Sequence, residues 1–140
     1  MNINDYPPLR AGKLSIVKSS ENRCEHIGNN RSLHEIRQYQ IDGGVIPSNT
    51  PGLRCDYLVL NDTKKSAYYI ELKGSDIERA INQIENTIVL LKDSLREYAI
   101  YRRIVYRSGT SSLQGSKALL WKRQHTNAII KERRLEENLS

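Results

Sequence analysis

Cys55-Asp56-Tyr57-Leu58-Val59-Leu60 and Ser66-Ala67-Tyr68-Tyr69-Ile70-Glu71-Leu72-Lys73 decide the fold of this chain. Both are runs of aliphatic, β-branched and aromatic residues, which suit a pleated, packed surface. The polar stretch 61–65 between them reads as a turn, so the two runs predict an antiparallel β-hairpin. Apolar residues occupy both faces, which predicts a sheet covered on both sides. Gly74-Ser75 ends the second strand, and Ser75 or Asp76 can cap a helix. Ile77, Ala80, Ile81, Ile84, Ile88, Leu91 and Leu95 then recur at steps of three and four. That spacing predicts an amphipathic helix of about six turns. Residues 99–106 (Ala-Ile-Tyr-Arg-Arg-Ile-Val-Tyr) form a third predicted strand. Strand, long helix and strand make a βαβ unit with parallel outer strands. The expected class is α/β, a small mixed β-sheet flanked by helices.

Outward from this centre the signals weaken. Residues 1–12, with Pro7-Pro8, read as an irregular arm. Residues 13–18 suit a short strand. Residues 19–37 are polar, with a turn at Gly28-Asn29-Asn30 and a short helix after Ser32. Tyr39, Ile41, Val45 and Ile46 flank a turn or bulge at Asp42-Gly43-Gly44. Residues 47–52 and 108–115 read as loops. Residues 117–124 suit a short helix around Leu119, Leu120 and Trp121, and 126–131 an edge strand or the start of a charged helix. The expected organisation is a single domain over 1–140, with an arm (1–12), a core (13–107) and a basic C-terminal segment (108–140).

The chain has 140 residues, enough for one core. No apolar run approaches the ~18–20 residues of a membrane helix, and the start lacks the basic and apolar regions of a signal peptide. The expected location is therefore cytoplasmic, with no membrane partner. Two cysteines make neither a disulfide framework nor a zinc site. Cys24-Glu25-His26 with a distant His34 supplies too few ligands for one. Residues 1–95 hold 12 basic and 12 acidic residues, whereas 96–140 hold 10 and 4. The net charge of +6 therefore falls entirely in the last third, the electrostatic footprint of a phosphate-bearing partner.

The hairpin carries a chemical prediction. If Asn61 faces Ser66, then Leu60 faces Ala67, Leu58 faces Tyr69 and Asp56 faces Glu71. Cross-strand partners point to the same side, and Lys73, two residues beyond Glu71, shares that side. Two carboxylates this close repel unless a cation sits between them. Mg²⁺ or Mn²⁺ is the natural candidate, and the Leu72 carbonyl can add an oxygen ligand. Lys73 can orient a water or steady a phosphate. The plainer alternative is a cross-strand salt bridge at a sheet end.

Cys55-Asp56-Tyr57-Leu58-Val59-Leu60, then Ile70-Glu71-Leu72-Lys73-Gly74, then a helix containing Gln83, resembles the core of the PD-(D/E)xK nuclease superfamily. That group includes type II restriction enzymes and archaeal Holliday-junction resolvases, and the resemblance spans roughly residues 35–107. It implies a restriction-endonuclease-like core, metal binding by Asp56 and Glu71, a catalytic Lys73 and a supporting Gln83. Cys55 stands where the pattern has Pro. Many members add a Glu from an upstream helix. Glu35 is the candidate here, with Glu21 and Glu25 competing and Asp42 able to approach instead.

Arg102, Arg103 and Arg107, on or just after the third strand, are candidate phosphate contacts, as are Lys117, Lys122 and Arg123. Lys131, Arg133 and Arg134 read equally as a solvated face with Glu132, Glu136 and Glu137. Trp121 can stack on a base but suits a core position. The expected function is metal-dependent hydrolysis of DNA phosphodiester bonds. The alternative is a catalytically inactive nucleic-acid-binding or protein-adaptor module on the same core. A chain this small leaves little room to read sequence, so specificity is expected from DNA shape or a partner protein. A homodimer would let two sites act on two strands.

Overall fold

The computed structural model describes residues 1–108 and 115–140. The chain folds as mixed α/β. After a 3-10 turn at Ile3–Asp5 come β1 (Arg10–Gly12), β2 (Ile16–Glu21), β3 (Cys24–Asn29), β4 (Ile36–Gln40), β5 (Tyr57–Asn61) and β6 (Ser66–Lys73). Helix α1 (Ile77–Leu91), β7 (Ala99–Tyr106), helix α2 (Ser116–Gln124), β8 (Ile129–Glu132) and β9 (Arg134–Asn138) follow. Six strands form one sheet in the order β1-β4-β5-β6-β7-β8, and a second sheet runs β2-β3-β9. The pairing is antiparallel from β1 to β6 and parallel from β6 to β8.

The hairpin has the register read from the sequence: Asn61 pairs with Ser66, Leu60 with Ala67 and Leu58 with Tyr69. Strand alternation then sorts the core. Leu58, Leu60, Ala67, Tyr69 and Ile104 pack with Ile77, Ile81 and Ile84 of α1. Val59, Tyr68, Ile70, Leu72 and Val105 pack on the other face with Val17, Cys24 and Leu135 of the second sheet and with Leu139 just after β9. The central strands are apolar on both sides because both sides are covered. Among the described residues no helix is long and apolar enough to cross a membrane.

Four expectations change, the first being the irregular arm over 1–12, of which Arg10–Gly12 forms β1 against β4. The helix after Asp76 covers 15 residues, about four turns rather than six. Asp76 is its cap, accepting from Arg79 N at 3.0 Å. The apolar spacing runs on to Leu95, which is buried beyond the helix end. There the Ser94 hydroxyl donates to the Leu91 carbonyl and offers the backbone an alternative to helix. Residues 19–37 hold β3 and the start of β4 rather than a helix. Asn30 closes the segment after β3 instead, binding the carbonyls of Leu14 and His34 and accepting from His34 N. Residues 129–132 are an edge strand, and 134–138 add a strand the sequence reading lacks. The predicted loop over 108–115 lies, apart from its two ends, outside the described residues.

The turn after β4 is tight. A Cβ on Gly44 would sit 2.2 Å from the Gln40 carbonyl oxygen, so backbone must move to admit one. Gly44→Ala is expected to cost about 1–3 kcal/mol, measured as a lower urea midpoint.

Candidate active site

The site lies at one end of the larger sheet, where β5 starts and where β6 and β7 end. Asp56 directly precedes β5 and is tied to Glu71 and Leu72 of β6 by two hydrogen bonds. The Asp56 N–H donates to Glu71 Oε1 at 3.1 Å, and the Leu72 N–H donates to Asp56 Oδ2 at 2.9 Å. Both acids are buried, with only 7% and 2% of their surface exposed. Lys73 Nζ lies 3.7 Å from Glu71 Oε2 and donates to Gln83 Oε1 of α1 at 2.8 Å. Gln83 in turn donates to the Arg54 carbonyl at 3.2 Å. One turn on, Thr87 Oγ1 donates to the Gln83 carbonyl and accepts from the Cys55 N–H. Helix α1 is thereby pinned to the segment that carries Asp56.

Burial pushes both carboxyls well above the usual range. The charge of Asp56 raises Glu71 further, and that of Glu21 raises Asp56, against lowering by Lys73. Glu21 ends β2 at the tip of the β2–β3 hairpin, where its charge acts on Asp56. The third acid therefore arrives from a hairpin. Asn22 and Arg23 make its two-residue turn, both with positive φ. Asn22 donates to the Leu72 carbonyl at 2.8 Å, so that carbonyl, expected as a metal ligand, faces an amide.

Other candidates lie elsewhere. Glu35 is exposed at the opposite end of the sheet, beside the β5–β6 turn, where its N–H donates to Thr63 Oγ1. It is on no helix and joins no acid of the site. Asp42 accepts from Arg54 Nε at 3.0 Å and shapes the loop before β5. Arg102 is committed to Glu85, at 2.6 and 3.2 Å. Arg103 is buried and committed to Glu137. Neither is a free phosphate contact. Arg107 does lie at the site end, its N–H donating to the Lys73 and Gly74 carbonyls. Lys117 donates to Asn82 on α1, and Lys122 and Arg123 are exposed on α2. Trp121 is a core residue whose Nε1 donates to Glu85. His26 is buried between the sheets against Glu137.

As they stand, no three His, Cys, Asp or Glu side chains among the described residues are grouped to hold a metal ion. Asp56, Glu71 and Glu21 bring carboxylate oxygens to this end of the sheet, the donor type a hard divalent cation takes. No protein-family model, no curated protein and no solved structure matches the chain.

Proposed function

We propose that this protein is a metal-dependent nuclease that hydrolyses DNA phosphodiester bonds on a restriction-endonuclease-like core. The observation that carries the reading is the buried Asp56–Glu71 pair with Lys73 held beside it. Two mutually repelling carboxylates kept from water are costly without a cation. An all-oxygen donor set with a third acid in reach fits Mg²⁺ or Mn²⁺, with Asp56 and Glu71 as the holding residues. When bound, the ion supplies positive charge that polarises the scissile phosphate and lowers the pKa of water. Gln83 fixes the Lys73 ammonium, which orients the attacking water by hydrogen bonding. The water oxygen forms the new bond to phosphorus as one ester P–O bond breaks, its electron pair leaving on the ester oxygen, which takes a proton from solvent. Glu21, open to solvent, takes up the water's proton.

The prediction is nicking or degradation of plasmid DNA by the full chain with Mg²⁺ or Mn²⁺, lost in Asp56→Ala. Mn²⁺ is expected to raise the thermal midpoint of the wild type and leave that of Asp56→Ala unmoved. Equal activity in both proteins would mark contamination and sink the reading. A second reading, an inactive nucleic-acid-binding or adaptor module, draws on the Asn22 amide bound to the Leu72 carbonyl. It predicts DNA binding without a Mn²⁺ shift.

A further inference from the structure

The rim of the site carries cations that hydrolysis does not use. Arg23, at the β2–β3 tip, and Arg133, between β8 and β9, line one cavity of about 470 Å³ together with Glu21 and Cys24. Both arginines have φ of 61°, a conformation in which glycine or asparagine is at ease and arginine is rare. Neither guanidinium has a partner among the described residues. The neighbouring charges are already committed. Arg134 pairs with Glu25 and Glu136, and Lys18 with Glu25. Glu21 interacts with Asp56.

The placement of Arg133 is fixed by the backbone. Its N–H donates to the Tyr106 carbonyl, and its carbonyl accepts from the Glu25 N–H. Arg133 therefore sits where the two sheets meet, beside the end of β7 that continues into Arg107. Burial raises the Cys24 thiol, and the charges of Arg107 and Arg133 act against that rise. Among the described residues, the guanidinium groups of Arg23, Arg107 and Arg133 have no ion-pair partner, and all three residues lie on the side of the site that faces the second sheet.

We propose that Arg23, Arg107 and Arg133 form a clamp for a backbone phosphate flanking the scissile one. It would guide the nucleic-acid strand into the site along the β2–β3 hairpin. The clamp rests on the nuclease reading for its place in a reaction, but binding tests it without hydrolysis. Guanidinium forks suit phosphate oxygens and carry no base information, so the clamp favours internal phosphates irrespective of sequence.

The test is fluorescence anisotropy of a labelled DNA duplex with the full chain in EDTA, across a salt series. Arg23→Gly with Arg133→Gly is expected to weaken binding about tenfold near ~100 mM salt and to lower the salt slope by about 0.9 per arginine. Its thermal midpoint should stay level or rise, because glycine accepts the positive φ. Arg107→Gln, outside both turns, should weaken binding about threefold, using a variant with no stake in turn geometry. Arg96→Gln, at the far end of the sheet, removes the same unit of charge and should change affinity less than about twofold. Unchanged binding in the double variant and in Arg107→Gln would overturn the clamp. So would an equal loss in Arg96→Gln, which would mean diffuse attraction. If the wild type binds, the arginine variants do not, and no DNA is cut with either metal, the clamp stands and the nuclease reading falls. If Asp56→Ala abolishes cutting while the arginine variants bind normally, the clamp alone falls.

Discussion

Glu71→Gln is expected to abolish metal-dependent DNA hydrolysis, by roughly a thousandfold or more, while making the protein harder to unfold at pH 8. Function and stability should separate because burial and the neighbouring Asp56 charge both disfavour an ionised Glu71. Glutamine keeps the shape and an oxygen to accept from the Asp56 N–H, and its amide can donate to the Asp56 carboxylate. Replacing a buried ionic group by a neutral one of equal size gains about 1–3 kcal/mol, roughly 5–10 °C for a chain of this size. The pH dependence follows in sign. A carboxyl with a raised folded-state pKa contributes most stability below its unfolded value and loses it as pH rises toward the folded value. The wild type should therefore weaken from about pH 5 upward, and Glu71→Gln should flatten that fall. Differential scanning fluorimetry between pH 5 and pH 8 checks this, and Mn²⁺ should narrow the gap by stabilising only the wild type. A lower midpoint in the variant would mean that the Glu71 charge holds the fold together.

Arg103→Met should cost about 3–5 kcal/mol, the penalty for breaking a buried pair from one side, with little effect on DNA affinity. Arg103 Nε and Nη2 donate to the two Glu137 oxygens at 2.7 and 2.9 Å, and Nη1 donates to the Arg102 carbonyl. Its guanidinium lies 5.6 Å from the Tyr68 ring and 5.5 Å from Tyr101, whose rings stack on each other. Burial raises the Glu137 carboxyl. Hydrogen bonds from His26 and Arg103, with the Arg103 charge, outweigh that and bring it down to about 2. A depressed carboxyl contributes stability that is present at neutral pH and lost as pH falls from its usual 4.5 toward 2. The deficit of Arg103→Met against the wild type should therefore shrink in that acid window. Urea melts at pH 7 and pH 3 measure it. A DNA-binding loss without a stability loss would return Arg103 to the phosphate contacts.

The parts of the fold legible in the sequence are those with local pattern. β6 and β7 have the predicted bounds, and the hairpin register follows from its turn. That register is why Asp56, Glu71 and Lys73 meet in the structure as the spacing predicts. The second sheet was hidden because its inward residues disguise a period of two. In β3 these are Cys24, His26 and Gly28, and Leu139 packs into the space a Gly28 side chain would fill. β9 buries only Leu135. Charge counting misled in a specific way. Arg102 and Arg103 belong to the basic third, but their partners, Glu85 and Glu137, are distant in sequence and consume them. Glu21 was one of several open choices, because its approach to Asp56 depends on the sheet the sequence did not reveal.

That hidden sheet also sets an order of events during synthesis. β3 pairs in parallel with β9, and His26 waits for Glu137, 111 positions later. The hairpin tip that brings Glu21 and Asn22 over the carboxylates has no outer strand to brace it until β9 has left the ribosome. A nascent chain would thus hold the Asp56–Glu71 pair long before it holds the rim. On the proposed nuclease reading, the rim of the cutting site would be braced only once β9 pairs with β3.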